Sequence, residues 1–362
     1  MPLMPGMSVA NYPPAVAISL FYRTVLAVAI ALGIILLLAR PWLKRNLSAK
    51  AEADPFGQAA VRNSLAYWLG GLWTLDGLLQ LQPQMATRFI GGFLAPLLQG
   101  QPGWVRALIE AGMHIWQLSP VWFNVEAVLI QLLIGLTLLF SREGAPLRRA
   151  ALYVSIGWGM VVWACGEAFG SLFSGGGPFV GSPGAVLLYV AAAVLLLLPA
   201  RLWAEKRLWR GFAYGMAAFF FLMAFLAAWP PNGWWGSAAA SWMHNMARMP
   251  QPSVLAGPLA AFAQSYQAHP VGWNAAVVLS AVFLGVLWAV RPRGAVVWFT
   301  IAWTLFVWYL GQDFGVLGGM GTDPNTGGIL LLYALLWRRH LQGTGPVPAT
   351  QESGGGAMRH SS

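Results

Sequence analysis

Long apolar stretches alternate along the chain with short polar or charged breaks. Apolar runs occupy roughly residues 18–39, 64–82, 121–141, 150–170, 184–200, 211–229, 271–290, 294–314 and 326–337. A helix needs about 20 predominantly apolar residues to cross a hydrocarbon core of roughly 30 Å. The pattern therefore predicts an all-α integral membrane protein with about nine transmembrane helices. The ninth run is short and reads as a broken or tilted segment. Between runs lie two stretches, 83–119 and 230–269, that are rich in Trp, Pro, Gly and Met and too apolar for free loops. Within the first, Phe89 to Leu98 and Val105 to Trp116 read as short helices lying in the interface or dipping between spans.

Composition supports this and sets the orientation. With 58% hydrophobic and 9% charged residues, a chain of 362 residues cannot cover a water-facing surface. The lipid bilayer is its expected partner. A net charge of +10 would suggest nucleic acid in a soluble protein, but here Lys and Arg form short clusters between the apolar runs. That arrangement determines topology and offers no nucleic-acid groove. Of the 21 Lys and Arg, all but Arg23, Arg88, Arg106 and Arg248 fall on one side when the N-terminus is placed outside. The cytoplasmic side collects such residues, so the C-terminus is expected inside a bacterial cytoplasmic membrane. The first run has no Lys or Arg before it and Arg40, Lys44, Arg45 and Lys50 after it, the reverse of a secretory leader, and reads as a retained anchor. The lone Cys165 excludes an internal disulfide. From Gln342 onward, Gly, Ser, Thr and Pro predominate, and a disordered cytoplasmic tail is expected.

The two halves resemble each other. Residues 101–135 laid on 251–285 match at Gln101/Gln251, Pro102/Pro252, Gln117/Gln267, Pro120/Pro270, Asn124/Asn274 and Gly135/Gly285. After a small deletion, Trp158, Trp163, Gly166, Phe169 and Gly170 match Trp303, Trp308, Gly311, Phe314 and Gly315; further on, 184–189 lies over 328–333. The expected organisation is an N-terminal part (1–62), a first four-helix unit (63–201), a second (202–340) and the tail (341–362). An even number of spans per unit makes the repeats parallel, so a site is expected between the units or in each.

Polar groups at membrane depth are costly unless paired, which makes them functional candidates. They are Asp76 with Gln80 and Gln82, then Asn124, Glu126, Gln131 and Glu167, and in the second unit Asn274, Gln312 and Asp313. The competing reading is that they satisfy one another and cap helix breaks. Gly166-Glu167-Ala168-Phe169-Gly170 and Gly311-Gln312-Asp313-Phe314-Gly315 each close a span before a glycine-rich loop, Ser174 to Gly184 or Gly318 to Gly328. Glycine lets the backbone bend, and a carboxylate there could take a proton from a quinol or pair with a cation. Packing glycines with a loop-facing acid explain the same motifs. Thr322 to Gly328 offers Asp323 and Asn325 to a hard cation, or a turn leading to a helix capped by Thr326. Met243, His244, Met246 and Met249 carry Cu(I)-compatible donors, although the same spacing gives an apolar stripe. No other metal centre and no nucleotide motif is evident.

The order of elements, with Pro120-Val121-Trp122-Phe123-Asn124-Val125-Glu126 and then Gly135 opening the second span of the first unit, resembles the four-helix DoxX/DoxD family. In that family an acidic residue and a glycine mark the second span, matched here by Glu126 and Gly135; the second unit keeps Gly285 but has Ala276 at the acidic position. The resemblance implies a membrane subunit of a quinone-linked redox system, with quinone as cofactor and other redox subunits as partners; joined to the polar groups and span endings above, it leaves Glu126, Glu167 and Asp313 as catalytic candidates and Asp76, Asn124, Asn274, Gln312, Gly170 and Gly315 as binding candidates. A permease for a small neutral or apolar solute and a non-catalytic scaffold are the alternatives.

Overall fold

The computed structural model describes residues 13–48, 56–315 and 321–343. Lys50, Arg359, the start of the second glycine-rich loop at Gly318 and the tail beyond Gly343 lie outside the described residues. The described chain is helical, without strands. Along it run α1 (Pro14–Leu38), α2 (Arg40–Leu47), α3 (Ala59–Leu79), α4 (Pro83–Arg88), α5 (Gly103–Leu118), α6 (Pro120–Phe140), α7 (Pro146–Val161), α8 (Ala185–Leu197), α9 (Ala200–Trp203), α10 (Lys206–Ala228), α11 (Ala238–Ala247), α12 (Ser253–Ala268), α13 (Pro270–Val290), α14 (Gly294–Leu310) and α15 (Asn325–Gly343). Helices α1, α6, α10 and α13 are long and apolar enough to cross a membrane, and α8 and α14 are shorter apolar helices. In the stretch 83–119, α4 passes through a π-helical turn, Phe89–Leu94, and a 3-10 turn, Ala95–Leu98, before α5.

Prolines start many of these helices. Pro14, Pro83, Pro120, Pro146 and Pro270 occupy the first turn, where a missing N–H costs nothing and the fixed φ suits a helix. Helix α1 buries only Ala17 and Phe21, leaving Leu26, Ile30, Ile34 and Leu37 exposed. An apolar helix bare on most sides suits lipid as its solvent.

Close helix crossings depend on glycine. A Cβ at Gly135 would lie 2.3 Å from Thr74 Oγ1 and 2.7 Å from the Gly70 carbonyl, so α3 and α6 meet backbone to backbone. Between α10 and α13, Gly285 similarly admits the ring of Phe221, 2.9 Å from a Cβ built there.

Several contacts gather the basic linkers at one end of the bundle. Arg62 pairs with Glu143, the buried Arg148 donates to Asn63 Oδ1 at 2.7 Å, and Arg339 donates to Ser64 Oγ. The ninth apolar run is longer than expected: α15 carries on through Arg338, Arg339 and His340. Those polar residues are accommodated by aromatic partners, with Arg338 over Trp298 at 5.0 Å, Arg339 over Trp68 at 5.2 Å and His340 stacked on Trp209 at 3.8 Å.

Candidate functional site

At the opposite end, two helices are stopped by the same device. Helix α7 runs through a π-helical turn, Val162–Gly166, and then Ala168, Phe169 and Gly170 take φ values of 48°, 57° and 62°. After α14, Asp313, Phe314 and Gly315 take 48°, 55° and 73°. Left-handed backbone reverses the chain at once, and non-glycine residues hold it only where their surroundings compensate. In both places a tryptophan one turn earlier supports the returning strand of backbone: Trp163 Nε1 donates to the Pro183 carbonyl at 2.7 Å and Trp308 Nε1 to the Pro324 carbonyl at 2.6 Å. Gly170 abuts Pro183-Gly184, and Gly315 abuts Pro324-Asn325. The geometry thus pairs Pro183 with Pro324, a different register from the one that lays Gly184 on Gly328.

The two returning loops cross between the halves. Phe179, from the loop after α7, is 1% exposed and wedged against Trp234, Tyr266 and Gly311. The Gly176 carbonyl accepts from Asn232 Nδ2 and Trp234 Nε1, each at 2.9 Å. Gln312 donates to the Pro178 carbonyl at 2.8 Å and to Thr326 Oγ1 at 3.0 Å, while its Oε1 accepts from Gly327 N at 3.2 Å. In return, Gln82 reaches the Gly321 carbonyl at 2.9 Å.

Where the loops cross, Asp76 of α3, Glu167, Asp323 and Tyr189 of α8 come close enough to act on one another electrostatically. None of the three carboxyls has an ion-pair partner among the described residues. Asp76 is 2% exposed and Tyr189 fully buried. The Tyr189 hydroxyl interacts with the Asp76 carboxyl, and Glu167 Oε2 is buried without a partner. Glu167 Oε1 accepts from Val186 N at 3.3 Å. Asp323 is better satisfied, taking the Asn325 N–H at 2.6 Å and the Thr322 hydroxyl at 3.2 Å. Burial still holds the Asp323 carboxyl above the usual carboxylate range. Helix α15 begins at Asn325, so Asp323 receives its first orphan N–H, and Thr326 lies inside the helix instead of capping it.

The other candidates lie apart. Asn124 is a structural clasp, accepting from Gln80 at 2.8 Å and donating to the Met85 and Pro120 carbonyls. Asn274 ties α13 to the Ala227 carbonyl at 2.9 Å. Gln131 is buried in α6 with Oε1 unpartnered. Glu126 is half-buried on α6, with no hydrogen-bond or ion-pair partner among the described residues. Asp313 is buried and accepts from Gln251 at 2.8 Å; burial raises its carboxyl, opposed by that hydrogen bond. Met243 is fully buried in the core, Met246 packs on the same core, and His244 Nδ1 lies 2.9 Å from the Ala240 carbonyl of its own helix. Met249 follows at the C-terminal turn of α11.

Sequence reasoning singled out Asp76 and Glu167 without joining them. It missed Tyr189 altogether and valued Asp323 only as a turn or cation residue. A tyrosine inside an apolar run at the same depth as two carboxyls was the signal available. No protein-family model, curated protein or solved structure matches the chain.

Proposed function

We propose that the chain is a nine-span protein of the bacterial cytoplasmic membrane, N-terminus outside and C-terminus inside, built of two parallel four-helix units. It works as the quinone-handling subunit of a redox system. The observation that carries this reading is the carboxyl and tyrosine cluster of Asp76, Glu167, Asp323 and Tyr189, drawn from both halves and lacking a cation. A quinol oxidised to quinone releases two protons with its two electrons. Buried carboxyls with free oxygens can receive those protons, and the electrons pass to a redox group on a partner subunit. The recurrent span endings and the paired indole-to-proline contacts support the two-unit reading, as the gathering of basic linkers at one end supports the orientation.

Purified protein is expected to carry quinone and to sustain quinol oxidation with its partner. Glu167→Gln and Asp76→Asn should each lower that rate about a hundredfold, a typical scale for losing a positioned acid or base. Tyr189→Phe should lower it less. Wild-type rates in both carboxyl variants would sink the assignment. Cysteine labelling beside Arg148 and Lys206 should report the same face of the membrane.

A second reading is a proton-coupled permease for a small neutral solute. It is favoured by the contribution of both units to one cluster, the arrangement expected of a site between repeats. Solute uptake into proteoliposomes driven by a pH gradient, without bound quinone, would decide for it.

A further inference from the structure

A roomy hollow of the described structure lies elsewhere, along the seam between α8, α10 and α15 and reaching its basic end. It holds about 700 Å³, within the range of roughly 300–1,000 Å³ common to ligand sites. Its walls are apolar, formed by Leu195 of α8, Phe219 of α10 and Tyr333 of α15 among others, and it is open along one side. Gly211 and Gly215 form its floor, and a Cβ built on either meets nothing within 4 Å. These glycines therefore do not serve a helix crossing within this chain, unlike Gly70 and Gly135.

Charge is confined to one end of the groove, where Glu205 and Arg207 border it. Arg201, Lys206 and Arg210 stand beside them, exposed and without an ion-pair partner among the described residues. Lys206 and Arg207 also form the first turn of α10, a helix of 23 residues whose orphan N–H groups and dipole favour an anion. A long apolar trough ending in several cations and a helix N-terminus matches one ligand shape: an anionic head on apolar tails.

We propose that this groove is a binding site for one anionic phospholipid, its phosphate held by Lys206, Arg207 and Arg210 and its acyl chains laid along Gly211 and Gly215. Basic pockets between helices at the cytoplasmic face hold such headgroups, with each nearby cation worth about 1 kcal/mol. Zwitterionic lipid lacks the net charge, and a free phosphate lacks the tails. The assignment requires that the helices cross a membrane and is independent of the carboxyl cluster.

The test is native mass spectrometry of the full chain from nanodiscs of phosphatidylcholine doped with phosphatidylglycerol. Wild type should retain one phosphatidylglycerol in preference to phosphatidylcholine, and inorganic phosphate should not displace it. The triple variant K206Q/R207Q/R210Q should retain at least about tenfold less, the change that 1.4 kcal/mol produces. G211L/G215L, which fills open space, should lose the lipid while keeping its thermal unfolding. Equal retention by both folded variants, equal binding of phosphatidylcholine, displacement by phosphate alone, or a second copy of the chain cross-linked in the groove would each overturn the proposal. Should the triple variant fail to fold, Arg207→Gln alone carries the charge arm.

Discussion

Replacing Gly170 by alanine is expected to destabilise the protein by about 3 kcal/mol, combining roughly 1–2 kcal/mol for a side chain in left-handed backbone with 1–3 kcal/mol for overpacking. The added Cβ would sit 2.0 Å from the carbonyl carbon of Pro183 and 2.3 Å from Gly184 N, backbone atoms that cannot rotate away. Gly315→Ala meets backbone slightly farther off, at 2.5 Å from the Asp323 carbonyl oxygen, and should cost somewhat less. Thermal unfolding in detergent checks both, with Gly211→Ala as the unstrained control. A Gly170→Ala protein melting with the wild type would show that the two backbones have room to part.

Phe179→Ala should cost about 3–5 kcal/mol, the range for emptying a well-packed aromatic site. The ring lies 6.2 Å from Trp234 and 5.9 Å from Tyr266, and Gly311 is bare because the ring occupies the space its Cβ would need. Since Phe179 comes from the first half and its socket from the second, the loss should fall on the joint between halves. The expected result is a lower midpoint, with faster proteolysis in the segment joining α9 to α10. A variant whose halves unfold earlier but still together would instead place the damage within one half.

Helix positions were legible because hydrocarbon demands unbroken apolar runs, and those runs lie within or against observed helices. The end of α15 was not legible. Arg338, Arg339 and His340 look like a stop in isolation, yet they continue the helix because Trp298, Trp68, Ser64 and Trp209 receive them. The functional candidates divide on the same line. Glu167 was visible from its flanking glycines and Asp76 from its depth, both local properties. Asp323 joins them only through contacts across the halves, which no run of residues displays. Glu126 and Asp313 were grouped with Glu167 on family resemblance and on repeat position, and neither criterion reports proximity. At the second junction the carbonyls that Trp163 and Trp308 reach pair Pro183 with Pro324, a correspondence that matching glycines does not display.

The crossed loops also restrict how the two halves can move. Asn232 and Trp234 grip Gly176, Gln312 grips Pro178, and Gln82 grips Gly321, so both directions of exchange are fastened at one end. Arg339, bonded to Ser64 and seated over Trp68, staples the halves at the basic end as well, so any rocking between them has to break one of the two fastenings.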